Sequence, residues 1–261
     1  MSSESAGPAP VDTLSFDRRV AIVTGGNTAI GSEIALILAR LSASVAMVGD
    51  RVDQLDASAI RIELMTDRPC LPLAADISGR DAIGRIVEQT VDVLGGAHIV
   101  IHCAAAEDDG ASAAPHPDAD AADAAFEARL QAITDFVDVV GPVFRAQDYG
   151  VIVNVVPLVD PRDPADPAIA ERRRMQLRAF SRHLAQHWGQ YGVRVNCVAT
   201  GYIAPGEEAS GRARTAADDP ARALPLGRWG QPREVANVAV FLASEAASYV
   251  TGEVLTVGGG Y

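Results

Sequence analysis

The run Gly25, Gly26, Asn27, Thr28, Ala29, Ile30 and Gly31 is the stretch best suited to hold a ligand close to the backbone. Glycine permits a tight turn and a near approach of the main chain, and a helix starting there aims its first N–H groups at an anion. A pyrophosphate is the anion that such a turn between strand and helix receives. Three other groupings have chemistry-bearing side chains. His183 and His187 stand four apart on one helix face, a spacing that can chelate a metal. No third ligand accompanies them, so packing or an interface role is expected. His102 and Cys103 are adjacent in an apolar run, and neighbours on a strand face opposite ways, so they form no nucleophile and base pair. Arg172, Arg173 and Arg174 read as a solvated helix face with one inward member.

The elements that position these groups follow from periodicity. Short β-branched runs predict strands over 19–24, 44–48, 70–74, 98–102, 151–155, 193–198 and 253–257. Helical periods lie between them, over 30–41, 52–64, 80–94, 121–146, 168–191 and 232–244. This alternation predicts a single α/β domain, a doubly wound parallel sheet of seven strands, over 18–261, with 1–17 as a disordered tail. Residues 104–125 are acidic and alanine-rich, and 204–224 are polar with glycine, proline and aspartate, so both read as loops. Each follows the carboxyl end of a strand, the edge where ligands bind in open α/β sheets.

Composition narrows the partners. With 22 basic and 34 acidic residues the net charge is −12, which repels phosphate backbones and anionic membranes, so neither nucleic acid nor membrane is an expected partner. All 22 basic residues are arginine, and lysine is absent. Cys70, Cys103 and Cys197 have neither CxxC spacing nor a disulfide framework, and no apolar run is long enough for a spanning helix. A cytoplasmic location is the expectation.

The turn TGGNTAIG resembles that of the short-chain dehydrogenase/reductase family. Further resemblance lies in Asp76 within LAADIS, in NVV at 154–156, in GVRVNCVATGYI at 192–203 and in the carboxyl-terminal stretch from Pro225 to Tyr261. Together these cover 18–261. The resemblance implies a Rossmann-type fold and hydride exchange with a nicotinamide dinucleotide. It also implies four catalytic positions, which in the family hold asparagine, serine, tyrosine and lysine.

Aligned on the flanking segments, those positions fall on Ile133, Pro157, Ala170 and Arg174. Proline offers neither a hydroxyl nor an N–H, and alanine transfers no proton. Arginine keeps a charge that can hold a ribose hydroxyl but does not relay a proton near neutrality. Tyr202 is the stand-in phenol nearest to a nicotinamide, with packing beneath the substrate loop as its ordinary role.

By the same resemblance the cofactor would be held by Thr24, Gly25, Asn27, Ile30, Gly31, Asp50, Asp76, Ile77 and Ala104. Several neighbours depart from the family pattern. Ala29 replaces the middle glycine of the turn, His102, Cys103, Ala104 and Ala105 replace Asn-Asn-Ala-Gly, and Thr200 and Pro205 replace proline and threonine. Gly49 stands at the ribose-binding acid position with Asp50 after it, and a carboxylate there repels a 2′-phosphate. The expectation is weak NAD binding or none, with NADP less favoured. The overall expectation is a non-catalytic subunit or binding protein, open to a small-molecule ligand. It would assemble as a homo- or hetero-oligomer, a tetramer with subunits of the same fold, and pair with an active relative. The alternative is an atypical oxidoreductase or remodelled enzyme that uses the same pocket.

Overall fold

Val20, Ala21, Ile22 and Val23 are each at most 4% exposed, so the first strand is covered on both faces, as a strand between two helix layers must be. The computed structural model describes residues 13–75, 77, 79–103, 119–159, 167–204 and 224–260. Strands β1 (Val20–Thr24), β2 (Ser44–Gly49), β3 (Cys70–Ala74), β4 (Ile99–Cys103), β5 (Gly150–Pro157), β6 (Val193–Thr200) and β7 (Val254–Val257) form one parallel sheet. Helices α1 (Ala29–Arg40), α2 (Val52–Thr66), α3 (Arg80–Leu94), α4 (Ala119–Ala146), α5 (Pro167–Trp188) and α6 (Pro232–Ala243) connect them.

The strand order is β3-β2-β1-β4-β5-β6-β7. The chain winds one way from β1 to β3 and the other way from β4 onward, so the crevice outside the carboxyl ends of β1 and β4 is the topological switch point. On one face α1, α2 and α6 bury Ile34, Leu38, Leu55, Ile62, Val235 and Val240 against the sheet. On the other, α3, α4 and α5 bury Ile83, Ile86, Phe136, Phe144, Leu177 and Leu184. Pro72 lies in β3, an edge strand, where the missing N–H costs no ladder bond on the open side.

Local chemistry sets the helix ends. The Thr28 hydroxyl accepts from the Gly31 N–H at 3.1 Å and caps α1, and the Glu234 carboxylate reaches back to the Gln231 N–H at 2.8 Å to cap α6. Arg194 on β6 donates to the carbonyls of Leu242 at 2.7 Å and Ser244 at 3.0 Å, which satisfies the last turn of α6. In α4 the pair Gly141 and Pro142 interrupts the helical hydrogen bonding. The Trp188 ring fills the space beside Gly141, where an added Cβ would stand 1.8 Å from the ring.

Three boundaries differ from the sequence expectation. The folded unit begins before Arg18: Phe16 is 2% exposed, and its N–H donates to the Leu41 carbonyl at 2.7 Å. Its burial depends on α1 arriving from later in the chain, a contact that local composition does not announce. Helix α4 starts at Ala119, so the last residues of the presumed loop 104–125 are helical, in keeping with the high helix propensity of alanine. Helix α5 ends at Trp188, and a 3-10 turn over Gly189–Tyr191 completes the stretch. Residues 205–223 of the second presumed loop lie outside the described residues, as does most of 1–17. Among the described residues, no helix is long and apolar enough to cross a membrane.

Candidate functional site

Thr24 ends β1, and Gly25 turns the chain at φ +63°, a left-handed conformation that glycine adopts without strain. A Cβ on Gly31 would stand 2.1 Å from the Gly25 carbonyl, so the first turn of α1 lies directly on the glycine turn. Thr28 locks this arrangement by donating to the Gly25 carbonyl at 2.8 Å while it caps Gly31. The amides of Ala29 and Ile30, first and second in the helix, have no intrahelical acceptor. No acidic residue occupies the first turn of α1. An anion placed there meets two backbone donors and the positive end of a helix dipole. The turn therefore fits a pyrophosphate.

Asn27 extends the turn toward β2. Its side-chain amide donates to the Asp50 carboxylate at 3.1 Å. A Cβ at Gly49 would stand 1.9 Å from the Asn27 side-chain oxygen, so Asn27 occupies the space that a side chain at 49 would need. Thus Thr24, Gly25, Asn27, Ile30, Gly31 and Asp50 meet in one place. Ile77 packs half-buried against the α3–α5 side of the core. Asp76 and Ala104, and with them Ala105 and Pro205, lie outside the described residues.

Behind the turn, polar side chains are buried across the sheet. The registers pair Thr24 with His102, His102 with Asn154 and Asn154 with Cys197, which places the four side chains on one face. The Thr24 hydroxyl and His102 Nδ1 are 2.9 Å apart, and the same hydroxyl accepts from the Cys103 N–H at 3.1 Å. His102 is 3% exposed, and burial pushes its imidazole down to about 4, so it is neutral near pH 7. The Asn154 amide is fully buried and has no hydrogen-bond partner of ordinary geometry, although it lies near enough to Cys197 to favour the thiolate slightly. Burial dominates nonetheless, and pushes the thiols of both Cys103 and Cys197 up to about 12. His102 and Cys103 do face opposite layers: His102 lies near Phe136 of α4 with ring centroids 5.6 Å apart, while Cys103 joins the core under α1.

The four positions aligned with catalytic residues are placed as follows. Ile133 is fully buried in the core between α4 and the sheet. Pro157 closes β5 opposite Thr200 of β6. Ala170 is 4% exposed in the first turn of α5, and Arg174, one turn later, forms an ion pair with Glu171. Tyr202 follows Gly201 at the end of β6, and its ring meets Trp229 edge-on, with centroids 5.3 Å apart. Burial raises the phenol above its ordinary value, which makes it a weaker proton donor.

The arginine run resolves into three different roles. Arg172 pairs with Asp123 at 2.6 Å and Arg174 with Glu171, both toward the surface, whereas Arg173 is 1% exposed. The inward member could have been found from phase, since Ile169, Arg173 and Leu177 recur every four residues on one face. His183 and His187 are exposed, and no cluster of metal-ligating residues occurs among the described residues.

A family model described as enoyl-(acyl carrier protein) reductase matches residues 25–261. A peroxisomal 2,4-dienoyl-CoA reductase of Danio rerio, (3E)-enoyl-CoA-producing, is 31% identical and aligns over 93% of this chain and 81% of its own. A cyclohexanol dehydrogenase of Rhodococcus sp. (strain TK6) is 31% identical, covering 95% of this chain and 98% of its own. Among solved structures, a hydroxysteroid dehydrogenase from Escherichia coli superimposes with a TM-score of 0.79 at 26% identity, over 95% of this chain and 98% of that one. An L-sorbose reductase from Gluconobacter frateurii, solved with NADPH and L-sorbose, has a TM-score of 0.76 at 25% identity, over 95% of this chain and 98% of that one. The expectation of a non-catalytic subunit is overturned here. These relatives are named as reductases and dehydrogenases, and they match the chain across nearly its whole length. The error lay in reading the side-chain types at four aligned positions as the absence of a reaction.

Proposed function

Because the chain belongs to the short-chain dehydrogenase/reductase family, we propose that it is an oxidoreductase working on a conjugated carbon–carbon double bond next to an acyl group, with NAD(H) preferred. One expectation carries the reading: aligned by the resemblance, Pro157 and Ala170 take the family's serine and tyrosine positions, and neither side chain would supply an acidic proton. Reduction of a simple ketone places negative charge on an alkoxide oxygen, which demands an adjacent acid. Reduction of a conjugated acyl thioester leaves an enolate whose charge is spread onto the thioester oxygen, and the proton goes to carbon, where water can deliver it. The activity for which the dienoyl-CoA reductase is named and the enoyl reductase family that matches the chain support this substrate class.

A nicotinamide dinucleotide, when bound, exchanges hydride with the substrate. The chain's own residues do the rest. The Gly25 turn and the amides of Ala29 and Ile30 would hold the pyrophosphate, with Gly31 keeping the helix close. Asp50, steadied by Asn27, would accept from the adenosine ribose and repel a 2′-phosphate, which favours NAD over NADP. Ile77 would border the adenine. Arg174 aligns with the family's lysine and would supply a cation to the second ribose only by leaving its ion pair with Glu171.

Asp120 and Glu127 of α4 are exposed beside the exposed Arg178 and Arg182 of the neighbouring α5. This complementarity supports assembly with a second subunit of the same fold, and such assembly should weaken as salt is raised. The three thiols, none of them in a disulfide, support a reducing compartment.

The test is the absorbance of NADH and NADPH at about 340 nm, followed with conjugated enoyl thioesters beside saturated ketones and aldehydes. Turnover of enoyl thioesters, retained in Tyr202→Phe, is the expected result. Ketone turnover at an equal or higher rate would reject the substrate class, and loss of activity in Tyr202→Phe would reject water as the proton source.

A further inference from the structure

Arg173 occupies a position with no assigned role in the reading above, and it is the largest fully buried side chain of the described residues. One terminal guanidinium nitrogen donates to the Leu158 carbonyl and the other terminal nitrogen to the Ala122 carbonyl, each at 3.1 Å. The guanidinium carbon lies 5.1 Å from the centroid of the Phe126 ring. Leu158 directly follows Pro157, and its N–H donates to the Thr200 carbonyl at 2.8 Å, just before Gly201 and Tyr202. Ala122 and Phe126 belong to the first two turns of α4. One side chain of α5 thereby joins the start of α4 to the ends of β5 and β6. All of these lie at the carboxyl edge of the sheet, the side on which the proposed function places the substrate.

A buried guanidinium carries a desolvation penalty, so it is a poor device for stability alone. Its merit is geometry. A planar fork reaches two acceptors in fixed relation, which a lysine ammonium on a flexible stem does not reproduce. We propose that Arg173 is a positioning residue that holds the first turns of α4 and the Pro157–Leu158 strand end in register, and so sets the width of the substrate side of the crevice. The proposal rests on the reading of that crevice as an active site, but its structural part can be measured separately.

The test compares Arg173→Lys and Arg173→Met with the parent chain by hydrogen exchange, read on peptides covering 155–159 and 120–126, with 20–34 as the control across β1 and α1. Both variants should exchange about tenfold faster or more in the two test peptides and as the parent in the control. Affinity for NADH should stay within about twofold, while kcat/KM for the best enoyl thioester falls about tenfold or more, because displacement of a positioning wall by about 1 Å is costly. Parent-like exchange in Arg173→Met would overturn the proposal. So would an equal rise in the control, which marks general destabilisation, or full rescue by Arg173→Lys, which shows that charge suffices without the fork. If the Arg173 variants do not fold, Phe126→Leu, which removes only the ring beneath the guanidinium, must give the same local pattern in smaller degree, and its absence would equally overturn the proposal. If no thioester is turned over, the substrate reading fails while the exchange result still decides the role of Arg173.

Discussion

Replacing His102 with asparagine should remove a specific part of the protein's acid sensitivity. His102 is 3% exposed, and its ring is held in contact with the Thr24 hydroxyl inside the sheet, so the folded chain resists protonating it. Burial lowers its pKa from 6.5 to about 4. Above pH 6.5 both folded and unfolded chains carry a neutral ring, and the full contribution to stability is present. As pH falls below 6.5 the unfolded chain takes up a proton that the folded chain does not, so stability is lost. The loss from this one residue is about 2 kcal/mol at pH 5 and approaches about 3 kcal/mol near pH 4. Asparagine keeps a polar group within reach of Thr24 and does not titrate. Urea unfolding of both proteins between pH 8 and pH 4 isolates the effect, because every other titrating group cancels in the difference. The variant should start less stable, by about 1 kcal/mol from imperfect packing, and overtake the parent by about pH 5. A stability difference that stays constant from pH 7.5 to pH 4.5 would refute the reasoning, since it would mean that the ring is hydrated in the folded chain.

Two further outcomes follow from geometry already described. Gly31→Ala should lower stability by roughly 1–3 kcal/mol and abolish measurable NADH binding, because the added methyl collides with the Gly25 carbonyl; thermal melting and calorimetric titration check each part. Cys70, Cys103 and Cys197 are all buried, with thiols pushed up to about 12, so a thiol reagent should label none of them in the folded protein at neutral pH and all three in urea.

Much of the fold could be read from periodicity, and the reason is visible in particular elements. The helix predicted over 80–94 matches α3, because Ile83, Ile86, Val87 and Thr90 mark one buried face and Gly95 ends it in a left-handed turn. Strands β1, β4 and β5 are covered on both faces, and near-continuous Val and Ile runs announce such strands. Phe16 escaped because its partners come from α1 and no local pattern surrounds it. The tight turn at Gly25 leading into α1 was legible, but the hold of Asn27 on Asp50 was not, since residues 23 apart in sequence meet only through the register of β1 with β2. Arg173 was visible as one of three arginines, and only the phase of α5 separates it from its neighbours. The inference that failed concerned reactivity. Side-chain types at four positions describe how a proton is handled, whereas the relatives show that the chain keeps company with working reductases.

Asn27, Gly49 and Asp50 form a small unit with consequences for how this family member can vary. Any side chain introduced at 49 must displace the Asn27 amide, and displacing it releases the Asp50 carboxylate. An acid introduced at 49 would therefore act through residue 27 as well, by turning the Asn27 side chain away from Asp50. Substitutions at the three positions should be strongly non-additive, and a double-mutant cycle on 27 and 49 would read that interdependence directly.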